Sequence, residues 1–380
     1  MQKKLIVGII IILAMFTIIL DININGVKVF EGFFRAMETD SLNNINRGMN
    51  ISFGESSSAE RNVNNEIIEL ADGINSLYIR NNLGSIDIKG EDRENISLSY
   101  KLTVYAINND IAQEFIEDLG LIAEQGNSRL NLRLADKKLV AGIKAVKVDY
   151  KILLPQEIYL NLSNKHGYLY VTNMNSDLKL KNSHDDMEVN NIDGNVIYDI
   201  NHGSLYTENI QGKVELDSSH STVDIKDIYN NLVFNSSHSL IRANDISADI
   251  SANLSHGTFR FDNISGNIDL KSSHTKVIGT ETSGEVRANL SHGKFDFLNL
   301  QNDLNIDGDF SEINIELDSD IEDYQIYSEV KYGDIETNLP FEVREVEDNT
   351  IVMDGYKGTG DIDINIRSEH DDVSVYLLDE

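Results

Sequence analysis

Eight of the chain's nine histidines recur at a single spacing without a slip: His166, His184, His202, His220, His238, His256, His274 and His292. Eight copies of a scarce residue at one spacing are an internal repeat, and such a repeat constrains the fold more than any local propensity. With each histidine counted as position 1, position 4 is always apolar, from Leu169 and Met187 to Val277 and Phe295. Position 13 is likewise apolar, from Leu178 and Val196 to Val286 and Leu304. Alternation at positions 4 and 6, and again at 13 and 15, marks two short strands per unit. Position 11 often carries Gly or Asn (Gly194, Gly212, Asn230, Gly266, Gly284, Asn302), which suggests a corner with positive φ at that point.

One such unit buries only a thin apolar row, so it must stack on its neighbours as a solenoid. At the inter-strand spacing of about 4.8 Å the eight histidines would span roughly 34 Å along one edge. Position 8 forms a second column (Asn173, Asn191, Asn209, Asp227, Asp245, Asn263, Glu281, Asn299), suited to hydrogen bonds from coil to coil. The unit lacks the strict spacing of six that a left-handed hexapeptide helix needs. The expected fold is therefore all-β: a β-solenoid of 18-residue coils, resembling a right-handed β-helix or a flattened two-sheet stack.

Five regions follow from the chain's patterning. Residues 1–24 carry Lys3 and Lys4 before an uninterrupted apolar run, Leu5 to Leu20, with no small-x-small cleavage site after it. Two readings compete for this pattern, a cleaved signal peptide and an uncleaved transmembrane signal anchor; the anchor is favoured, with basic residues holding the N-terminus inside and everything later outside. Residues 25–65 read as a juxtamembrane segment and polar linker. Residues 66–165 read as a strand-rich cap with one helix, capped by Asn109, carrying Ile111, Phe115, Leu119 and Ile122 on one face and ending at Gly126. Residues 166–309 are the regular coils. Residues 310–380 are irregular coils and a cap, in which Phe310 takes the ninth histidine's place and a hairpin runs from Asp348 to Gly360.

The net charge of −31 leaves nothing to neutralise phosphates, so nucleic acid is not an expected partner. The chain has no Cys, which removes thiol catalysis, disulfides and Cys-type zinc sites together. No cluster interrupts the repeat in the way a catalytic centre would, and no cofactor is expected.

The anchor is followed by Leu83-Gly84-Ser85-Ile86-Asp87-Ile88, by Asp149-Tyr150-Lys151-Ile152-Leu153-Leu154-Pro155, by repeated small-residue corners, and by Gly358-Thr359-Gly360-Asp361-Ile362-Asp363-Ile364. Over residues 67–380 this order resembles the bacterial "putative adhesin" family, membrane-anchored chains built of short β-strand repeats. The resemblance implies a cell-surface location and a strand-repeat fold. It carries over no site residue, because family corners of the Ser-Gly-Asp type are here replaced by corners such as Ser255-His256-Gly257.

The histidine column itself has four readings. The first is scaffold: rings stacking at a corner, supported by Ser at the preceding position in six of eight copies. In the second, His166, His184, His202, His220, His238, His256, His274 and His292 are ligands for a divalent metal such as zinc, nickel or copper. The third is a pH switch, blunted by surrounding carboxylates. The fourth is an enzymatic face on acidic polysaccharide, which the acidic balance suits poorly. The reading taken forward is a non-enzymatic surface protein with a protein or glycan partner, scaffolded by the column; metal binding or sensing is the alternative.

Overall fold

The computed structural model describes residues 56–377 of the chain. The expected anchor, residues 1–24, and residues 25–55 of the expected juxtamembrane segment lie outside these. Among the described residues no helix is long and apolar enough to cross a membrane.

The described chain is nearly all strand. It opens with β1 (Ser57–Glu69), β2 (Ser76–Asn81), β3 (Ile86–Glu91) and β4 (Asn95–Ala106). There follow α1 (Asn109–Glu117), β5 (Leu121–Gly126), β6 (Arg129–Leu134), β7 (Ile143–Pro155), β8 (Tyr159–Asn164) and β9 (Leu169–Met174). From Leu178 onward each repeat unit supplies two strands that pair in parallel with the equivalent residues one unit away. Leu178 pairs with Val196, Val196 with Val214, and Val214 with Leu232. In the second ladder Met187 pairs with Leu205, Leu205 with Val223, and Val223 with Ile241. The solenoid thus has two parallel ladders: a first sheet built from positions 13–18 and a second from positions 3–9.

Both ladders turn their apolar columns inward. Met187, Val189 and Ile192 on one ladder, and Val196, Tyr198 and Ile200 of the same coil on the other, are all at most 1% exposed. Two buried faces and no charged residue between them make each coil a slice of one continuous core, stabilised at roughly 25 cal/mol per Å² of apolar surface removed from water. Position 17 also points inward, and there the residue is often polar. Asn182 Nδ2 donates to the carbonyls of Asp185 and Asp186 at 3.0 Å each. Asn81 and Asn164, its register partners in β2 and β8, make the same kind of corner bond. Farther along, Ser218 Oγ donates to Ser236 Oγ at 2.9 Å.

The ends depart from chain order. β2 pairs in parallel with β8, and β3 with β9, so the first coil lies directly beneath the regular ones. Yet β6 and β7, which come later in the chain, pair with the outer edges of β2 and β3. Beyond them β4 and then β1 add antiparallel, and β5 closes the other ladder. The far end repeats the manoeuvre. Strand Ile362–Glu369 pairs on one side with Leu304–Asp309 and on the other with Tyr324–Lys331. Strand Asp372–Leu377 likewise lies between Glu312–Leu317 and Ile335–Thr337. The last coil of the described chain is therefore inserted between two earlier ones.

Three expectations are corrected. A strand lies inside the segment read as a linker: β1 covers Ser57–Glu69, because pairing along β4 satisfies its backbone despite its polar side chains. The helix is capped by Asn108, whose side chain accepts from Ile111 N, and it stops at Glu117. Ile122 lies on β5, since Asn127 and Ser128 adopt left-handed φ angles of 52° and 65° and turn the chain into a hairpin with β6. Finally, none of the glycines at position 11 has a left-handed φ. A Cβ at Gly194 or Gly212 would collide with the backbone of the coil below, so glycine permits close stacking there instead.

Candidate functional site

Positive φ falls at the two columns of non-glycine residues. His184, His202, His220, His238, His256, His274 and His292 have φ between 51° and 62°. Asn173, Asn191, Asn209, Asp227, Asp245, Asn263, Glu281 and Asn299 share that conformation at the opposite corner. For a side-chain-bearing residue this costs roughly 1–2 kcal/mol, and only Asn and Asp offset part of it locally. The Asn column recovers some through the expected inter-coil bonds: Asn209 Nδ2 to Asn191 Oδ1 at 2.8 Å and Asn263 Nδ2 to Asp245 Oδ1 at 2.7 Å.

The histidine column recovers it through ring stacking. From His184 to His292 successive rings lie 4.7–5.2 Å apart between centroids and within 6° of parallel. Serine at the preceding position engages Nδ1 at 2.8–2.9 Å in His220, His256, His274 and His292. These rings stand exposed along one edge. His166 differs: it is tilted 37° from His184, and its imidazole titrates below the ordinary value through burial first and the neighbouring His184 second.

Two kinds of residue follow most of the histidines, hydroxyl-bearing residues and glycine. Ser221, Ser239 and Thr275 are buried, and each hydroxyl donates to the carbonyl two positions earlier at 2.8–3.0 Å. In other coils Gly203, Gly257 and Gly293 sit where a Cβ would strike the carbonyl of the coil below.

The column is longer than the repeat. His292 stacks on Phe310 at 5.0 Å, Phe310 on His370 at 4.4 Å, and His370 on Tyr332 at 5.1 Å. His370, outside the series in the sequence, joins the stack because its coil is inserted between those of Phe310 and Tyr332. Beside it Asp371 is 1% exposed; one carboxylate oxygen accepts from Ser311 N while the other, Oδ2, has no partner. Burial, with Asp309 and Asp372 nearby, pushes its carboxyl up to about 6, against the opposing pull of Ser311 N and His370.

Stacking sets what the column can do with a metal. Equivalent nitrogens of parallel rings lie as far apart as their centroids. Two nitrogens sharing one ion at about 2.1 Å each are at most about 4.2 Å apart. Adjacent column rings exceed that spacing, and among the described residues no three His, Asp or Glu side chains converge where an ion would sit. The first sheet's outer face carries a shallow open groove lined by Asp199, Asn201, Asp217, Ser219, Asn235 and Ser237.

No family model matches the chain, and no curated protein matches it. A crystal structure described as that of a putative cell adhesion protein from Clostridium sporogenes matches at 12% identity, covering 85% of this chain and 100% of that one. Its TM-score of 0.19 is too low for the likeness to bear on fold or function.

Proposed function

We propose that this chain is a non-enzymatic, adhesin-like surface module of a bacterium, anchored by a single pass of residues 1–24 with its right-handed solenoid on the outer side. One observation carries the reading. The same side-chain types recur rung after rung on broad outer faces, so contact chemistry is spread along a surface instead of converging on a centre. Such a surface suits an extended partner, a surface protein or a glycan. The test is to express the full chain in a non-adherent bacterium, shave intact cells with protease, and measure attachment to protein- and glycan-coated surfaces. Removal of residues 56–377 by protease together with gained attachment would support the reading; a protected chain and unchanged attachment would refute it.

The alternative, a metal-binding or metal-sensing ectodomain, rests on the exposed edge that the column presents once serine occupies Nδ1. Calorimetric titration with Zn²⁺ and Ni²⁺ decides it, using the full chain beside a variant with His202, His220, His238 and His256 changed to Asn. Stoichiometric binding lost in the variant would favour the metal reading, and no binding would leave the column as scaffold.

A further inference from the structure

The outer face of the second sheet carries a charge pattern with its own twofold relation. One outward column runs Tyr170, Glu188, Tyr206, Asp224, Arg242, Arg260 on successive rungs. In the next outward column along the strands, Glu208 lies beside Lys226. Toward the margins the first column reaches Lys151 of β7 at one end and Asp296 at the other. Acid therefore dominates the earlier rungs and base the later ones. Glu188 accepts from Tyr168 and Asn190, with no cation paired to it among the described residues. Arg260 is exposed, and no ion pair among the described residues engages it.

We propose that this face pairs with the same face of a second copy of the chain, about a twofold axis parallel to the strands and lying between strands Ser204–Ile210 and Thr222–Ile228. Such an axis keeps each column opposite itself and reverses the order of the rungs. Glu188 then faces Arg242, Glu208 faces Lys226, and the Tyr206 hydroxyl faces Asp224. The Tyr170 ring receives the Arg260 guanidinium, a cation–π contact. Lys151 meets Asp296 at the margin, and Leu153 lies opposite Leu298. Over the ten strands from β7 to Lys294–Leu300, no carboxylate falls opposite a carboxylate and no cation opposite a cation. Moving the axis one strand onward would set Glu208 against Asp262.

At ordinary strand spacings the face is about 48 Å long and about 18 Å wide, close to 900 Å² per copy. That is near the ~800 Å² per partner of a standard interface. In the pair the solenoid axes run antiparallel, so the first described residues of the two copies lie at opposite ends. A second step rests on the anchored reading above: this geometry joins copies on two facing membranes, not neighbours in one.

The experiment is sedimentation equilibrium of the full chain in non-ionic detergent, at low salt and at about 0.5 M salt, where exposed charges are screened. The expected result is a dimer at low salt that loosens at high salt. Glu188→Arg and Arg242→Glu should each weaken it at least about tenfold. An equimolar mixture of the two variants should recover the dimer, because both of its contacts then set Arg against Glu. Lys151→Glu and Asp296→Lys should behave the same way with smaller effect, and thermal melts followed by circular dichroism report whether each variant is folded. A monomer at low salt, a dimer indifferent to the reversals, or a mixture no tighter than its components would overturn the interface. Reconstituted into phosphatidylcholine vesicles, the full chain should cluster them. A detergent dimer without clustering would leave the interface standing and overturn the facing-membrane step.

Discussion

From Leu178 to Leu300 every strand finds its neighbours one repeat away in the chain, whereas at either end a coil is bordered by segments far from it in sequence. Ile210 pairs with Ile192 and Ile228, its equivalents in the units before and after. Ile364 pairs with Leu304 and Ile326, neither of which lies one repeat away. The contrast teaches how a solenoid ends. A middle coil needs only a neighbour of its own pattern on either side. A terminal coil exposes core and unpaired backbone on one side, and here both ends answer by slipping a coil inward and closing with antiparallel strands.

This difference is sharpest under truncation. Removing residues 359–380 empties an internal slot, and we expect amides of Leu304–Asp309 and Tyr324–Lys331 to lose hydrogen-exchange protection while those of Met187–Ile264 keep theirs. Deleting one whole unit, 256–273, should instead leave a folded, shorter stack. If the two deletions do equal and global damage, the distinction between middle and end fails.

Within the middle, Ile246→Asp places an unpaired charge among residues at 0–1% exposure, and a loss of about 4 kcal/mol or more is expected in chemical denaturation. An unchanged midpoint would mean that the residue does not face the core.

At the inserted coil, Asp371→Asn should stabilise. The folded carboxyl titrates near 6 against 3.8 for the free group, so the wild-type contribution is fully present below about pH 3.8 and is lost as pH rises through about 6. The variant should gain about 1–3 kcal/mol at pH 8 and lose the slope of Tm between pH 4 and 6. A parallel pair of Tm–pH curves would show that the carboxyl is not held neutral.

The smallest effect belongs to the corners. Asn209→Ala should cost about 1 kcal/mol, through left-handed φ and the lost bond to Asn191, and Asn209→Gly distinctly less. Equal costs would assign the column's value to the side-chain ladder alone.

Much of the middle was legible because its signals are local and repeated. The inward positions 4, 6, 13 and 15 followed from alternation, and the Asn ladder from its column. The inward Asn and Ser at position 17 were not apparent: a polar residue on a strand reads as outward unless the corner carbonyls it serves are known. The helix was drawn too long because Leu119 and Ile122 continue a helical face, while the pairing of β5 with β6 overrides that periodicity. The paired charges of the second sheet's outer face were also hidden, since Lys151 and Asp296 become members of one column only through the displaced order of the first coils.

The sequence by itself determined that the chain is a stack, how its rungs are spaced along the chain, and which apolar columns face inward, because a fixed period with strand alternation leaves one register in which apolar rows superimpose. Only the tertiary structure decided the order of the end coils and, with it, that His370 and Tyr332 extend the ring column. Any strand with alternating apolar residues satisfies an open ladder edge equally well by local criteria. The choice among them is settled by closing both ladders at once, and that requires the whole fold.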